Sequence, residues 1–240
     1  MEEKLNSSQK IARIVGVLFI LATVLSLLST TLLGPVIGAS DYLVKVSENE
    51  NQVIIGVILL LAAAVSVVLI PATLFPILRR YNEGIALGYL GFRVLEAITL
   101  TIDVVASLLL ITLSREFINA GTPVDSYFQA SGALLTGARD WTFPLNPLIF
   151  GPGSLMFNYL LYRSKLIPRW LSGWGLIGAA LVTVFALLGL FGAGQARPVT
   201  GGFLILLAVP IGVQEMVFAV WLIVKGFNLS AIASPTSVIW

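Results

Sequence analysis

Apolar residues run along this chain in long blocks rather than in the alternation of strands. Uncharged stretches extend from Ile14 to Ser40, Asn51 to Leu78, Trp141 to Tyr162 and Trp170 to Ala196. Another, Pro198 to Val224, is interrupted only by Glu215, and a sixth, Gly84 to Ser114, contains Arg93, Glu96 and Asp103. A helix crossing the hydrocarbon core needs about 20 mostly apolar residues. The pattern therefore predicts six transmembrane helices, at about 13–33, 53–79, 86–114, 142–163, 170–193 and 202–225. The expected fold is an all-α, polytopic six-helix bundle forming one domain over residues 1–240, with a short N-terminal segment (1–12) and an uncharged C-terminal tail (226–240). Lys4, Lys10 and Arg13 precede the first apolar run as in a signal peptide, but that run exceeds the 7–15 residues of a signal core and reads as an uncleaved span.

Composition agrees. Of 240 residues, 58% are hydrophobic and 11% charged, and the mean hydropathy is +0.97. A soluble domain carries about 25% charged residues. With no His and no Cys, a His-based triad, His-ligated zinc, haem ligation by His or Cys, disulfides and thiol chemistry are all excluded. No phosphate-binding loop, dinucleotide fingerprint or metal motif is present, so no cofactor and no metal are expected. The net charge of +2 does not call for nucleic acid. Six spans place both termini on one side with nine Lys and Arg, against four on the other, so the positive-inside rule puts both termini in the cytoplasm. Of the outer segments, 115–141 is the longest, and Tyr127, Phe128, Leu134 and Leu135 suggest a short helix along the membrane surface there. A faint echo links 78–91 with 161–175, as alternating short hairpins would produce anyway.

The third predicted helix carries the candidate chemistry. At 100° per residue, Arg93, Glu96 and Asp103 fall within an arc of about 80°. Each charge at mid-membrane costs about 2.5–3.5 kcal/mol, so such residues face the bundle interior or a wet cavity. Arg93 and Glu96 lie about 10 and 15 Å in from the cytoplasmic end, and Glu215 about 15 Å in from the same side. The three can meet at one level, which requires the third and sixth helices to be neighbours. Asp103 lies about 10 Å further out, toward Arg139, Asn146 or water. The fourth predicted helix holds Pro144, Pro147, Pro152, Gly151 and Gly153, which should interrupt its hydrogen-bond ladder between Trp141 and Gly153. Asn146 and Asn158 beside such a break are candidate ligand-binding groups. The glycine spacings at Gly84/Gly88 and Gly173/Gly175/Gly178 read as helix packing. Trp141, Trp170, Trp174 and Trp221 read as interface anchors.

The stretches ARIVGVLFI (12–20), GFRVLEAI (91–98), LLYRSKLIPRWLSGWGLIGA (160–179) and VQEMVFAVWLIVKGF (213–227) resemble the bacterial membrane family named domain-of-unknown-function 4386. The resemblance covers about residues 10–228. It implies a six-helix protein of the bacterial cytoplasmic membrane, with Arg93, Glu96 and Glu215 at recurrent polar positions, and it implies no activity. Three readings stay open. One is a ligand-binding or transport-type protein taking a small polar or amphiphilic ligand at Arg93, Glu96, Glu215, Asp103, Asn146 and Asn158. A second is a structural, sensory or partner-binding protein whose charges only fix helix packing. A third, ranked last, is an intramembrane enzyme acting on lipid.

Overall fold

The computed structural model describes residues 2–120, 125–192 and 206–233. Among them there is no strand. Six helices form the body: α1 (Glu2–Ile37), α3 (Glu50–Leu78), α4 (Glu83–Ala120), α5 (Asp125–Ser164), α6 (Arg169–Gly192) and α7 (Val209–Val224). Two short ones, α2 (Tyr42–Glu48) and α8 (Leu229–Ala233), fill connections. The connection around Arg197, the start of the sixth predicted helix and the end of the tail lie outside the described residues.

The six long helices stand in a ring that follows chain order. Each packs on the next, from α1 on α3 round to α6 on α7, and α7 closes onto α1. The outer surface is apolar at helical spacing. Ile14, Val17, Leu21, Val24 and Leu28 are exposed along α1, and Ile55, Ile58, Leu61, Val65 and Leu69 along α3. An apolar face of that extent would drive aggregation in water and is at home in lipid. Four helices, namely α1, α3, α4 and α6, are long and apolar enough to cross a membrane. In α5, Arg139, Asp140 and Asn146 dilute the apolar run, and α7 has only 16 described residues.

Four aromatic rings fill the ring of helices toward the α5–α6 connection. Phe157 of α5 stacks on Tyr89 of α4 at 4.5 Å and meets Phe218 of α7 at 5.6 Å. Phe19 of α1 lies edge-on to Phe218 at 5.3 Å. Toward the other end, Leu33 and Val36 of α1, Val57 and Leu60 of α3 and Val104 and Leu110 of α4 form a second core.

Several expectations change. Among its described residues the segment 115–141 holds no separate surface helix, because α4 runs on to Ala120 and α5 starts at Asp125. Phe128, buried against Phe117 at 5.7 Å, fastens the two helices where a surface helix would have turned its aromatics to lipid. The connection 34–52 instead contains α2, whose Leu43 and Val46 are buried. The prolines of α5 do not break it, since the α-helix is continuous through Pro144, Pro147 and Pro152. Each proline removes one N–H, but packing against α4 and α6 holds the helix, as neighbours do for membrane prolines. At Gly151 that packing is so close that an added Cβ would lie 2.0 Å from Thr183 Oγ1 of α6.

Candidate functional site

Arg93 lies on α4, one turn beyond Tyr89, and its guanidinium points into the middle of the ring. It donates from Nη1 to Glu96 Oε2 at 2.9 Å and from Nη2 to Glu215 Oε1 at 3.1 Å. Glu96 is one turn along the same helix, whereas Glu215 comes from α7 on the opposite wall. Arg93, Glu96 and Glu215 meet at one level as expected, but α4 and α7, expected to be neighbours, stand across the ring from each other. The extensive partners of α7 are α1 and α6. The long arginine side chain crosses the centre and reaches a helix its own does not broadly touch.

Arg93 is buried to 4% exposure and Glu96 to 7%, while the Glu215 side chain keeps 19%. Three rings surround the guanidinium carbon, with Phe150 at 4.8 Å, Tyr89 at 5.6 Å and Phe19 at 5.8 Å from ring centre to Cζ. Such faces offset part of the desolvation of a buried cation. Arg93 Nε and the Tyr89 hydroxyl have no hydrogen-bond partner among the described residues, so the cluster retains donor capacity.

Beside these charges is a cavity of about 250 Å³. Its charged wall is Arg93, Glu96 and Glu215. Asn146 on α5 adds an amide held by donation to Thr99 Oγ1 at 2.8 Å. The apolar wall includes Phe19, Ile70, Leu100 and Phe150, and α1 supplies Thr23, Ser26 and Leu27. Leu27 lines the cavity and is 61% exposed on the same apolar face of α1 as Val24 and Leu28, so one edge of the cavity reaches sideways to the apolar surface.

The other candidates lie elsewhere. Asp103 accepts from Arg139 Nε at 2.5 Å and from Ser107 Oγ at 3.3 Å, joining α4 to α5 nearer the α4–α5 connection. Asn158 donates to the Ser154 carbonyl at 3.0 Å and belongs to a buried contact with Gln214, away from the cavity. Gln214 escaped the sequence reading although it is 2% exposed and donates to the Leu171 carbonyl at 3.2 Å. Its place beside Glu215 on an otherwise apolar helix was the available signal. Thr99, Thr23 and Ser26 were missed as well. Of these only Thr99, one turn from Glu96, extends the polar stripe.

Neither the curated proteins nor the solved structures contain a match to this chain. One family profile does match, over residues 14–226, and its span takes in Arg93, Glu96, Glu215 and the cavity walls. By that match the chain belongs to the family described as Domain of unknown function (DUF4386).

Proposed function

We infer that this protein is a six-span protein of the bacterial cytoplasmic membrane, with both termini inside, that binds a small amphiphile in the cavity beside Arg93. The observation that carries the reading is a cavity lined both by charged side chains and by apolar ones, with an edge that reaches the apolar surface at Leu27. One arginine and two glutamates give a formal charge of −1 when all are ionised, so the complementary ligand has a cationic or hydrogen-bond-donating head and a short apolar body. Glu215 is the contact residue, being the most exposed of the three. A ligand cation and a proton compete for its carboxylate, so binding would weaken on acidification. Coupling of that kind is the basis on which a transport-type role would rest.

The test is thermal shift and native mass spectrometry on purified protein with alkylammonium, alkylcarboxylate and alkyl glycoside probes of equal chain length. The ammonium probe should stabilise the protein most, and Glu215→Gln should weaken its binding about tenfold or more, a loss of one charged contact. Equal response to all three probes would defeat the reading. A second reading, that the charges only brace the bundle, is favoured by Arg93 engaging both glutamates directly. It predicts no probe response together with full sensitivity to loss of Arg93.

A further inference from the structure

A second pocket, of about 520 Å³, lies at the end of the bundle where the α5–α6 and α7–α8 connections cross. We propose that it holds the phosphate of an anionic phospholipid. Lys165, Arg169 and Lys225 line it, and no acidic side chain does. None of these three cations has an ion-pair partner among the described residues. Arg169 rests on the Tyr162 ring at 5.2 Å, which leaves its donors unspent.

The pocket is built before any ligand arrives. Asn228 N donates to the Leu166 carbonyl at 2.8 Å, tying one connection to the other. Gln9 Nε2 donates to the Phe227 carbonyl at 2.9 Å, tying both to α1. Leu166, Ile167 and Phe227 are buried at 0%, 3% and 2%, so the floor is part of the core. Gly226 takes the left-handed backbone at φ 70, as glycine readily does. Lys165 takes it at φ 56, where a residue with a Cβ is disfavoured. That conformation ends α5 at the rim of the pocket and leaves the Lys165 side chain among its lining residues.

The surroundings select a lipid over free phosphate. Trp221 lines the pocket and lies edge-on to Trp170 at 6.4 Å, a pair suited to the headgroup level of a bilayer. From there Val224, Val220 and Val213 are exposed down α7, an apolar rail on which acyl chains can lie. Basic pockets at helix ends are a recurring form of anionic-lipid site.

The experiment uses the full chain in neutral detergent, titrated with phosphatidylglycerol, with phosphatidylcholine of the same acyl chains, and separately with inorganic phosphate. Native mass spectrometry reads retained lipid, and melting reads stabilisation. Phosphatidylglycerol should be preferred by about tenfold or more, and the preference should shrink as salt is raised. Lys165→Gln, Lys225→Gln and the triple change with Arg169→Gln should lower it stepwise, whereas Arg79→Gln with Arg80→Gln should leave it intact. If the triple variant does not fold, the two single changes carry the comparison. Equal retention of both lipids, or an unchanged preference in the lysine variants, would overturn the proposal. Displacement of phosphatidylglycerol by inorganic phosphate would overturn the lipid assignment.

Discussion

Arg93 is held from two sides, by a glutamate one turn away and by another across the ring. Removing it strands two carboxylates in a poorly hydrated interior, so Arg93→Ala should destabilise by about 3–5 kcal/mol. Because Arg93 and Glu215 act as a pair, Arg93→Ala combined with Glu215→Ala should cost less than the two single changes summed. Unfolding in detergent of the singles and the double measures this, and strict additivity would contradict a direct bond. These residues were legible beforehand because charge is rare in the chain and helical geometry fixes both azimuth and depth. Gln214 was not, since a neutral amide on an apolar helix shows its importance only when its partners, Asn158 and the Leu171 carbonyl, are visible. Tyr81 lies in the turn between α3 and α4, and its hydroxyl donates to the Ala231 carbonyl of α8 at 3.0 Å. Burial raises its pKa above the ordinary 10.0, with nearby Arg80 opposing. The folded state therefore holds this proton more tightly than the unfolded one. The stabilisation is complete below pH 10.0 and is lost as pH climbs through the raised value. Tyr81→Phe should cost about 1 kcal/mol at neutral pH and flatten that alkaline decline in a pH series of melts.

Among the elements, α5 departs most from expectation. Its prolines and glycines suggested a broken helix, because in isolation each proline forfeits a bond and crowds the carbonyl four residues back. What sequence inspection does not contain is the neighbouring surface. Pro144 and Gly151 both lie against α6, at Gly189 and Thr183, and Gly153 lies against Phe92 of α4. The small residues bring helices together more than they open the backbone. Gly151→Val should force α5 and α6 apart, lowering stability by about 1–3 kcal/mol. The same change at Gly137, where an added Cβ meets nothing, should leave melting within about 0.5 kcal/mol of the parent. Comparable losses at both positions would mean that backbone freedom, not contact, is what Gly151 supplies.

For the whole molecule, the all-helical character and the helices apolar and long enough to span followed from hydropathy alone, but closure of α7 onto α1 did not, since nothing local specifies which apolar faces meet. On the six-span reading, reporters fused after Glu83 and after Lys165 should both score cytoplasmic, and one after Glu48 external. A cytoplasmic score at Glu48 would remove that reading, and with it the assignment of sides. The sideways opening at Leu27 bears on how occupancy of the cavity should be reckoned. If the cavity takes an amphiphile as proposed, that solute arrives from the acyl phase, where it is concentrated by partitioning long before it meets the protein. The relevant dose is then its mole fraction in the bilayer, and a site of modest intrinsic strength can be filled from a trace in the medium. Adding lipid at fixed total ligand should empty the site by dilution in two dimensions, even though no competitor for Glu215 has been introduced.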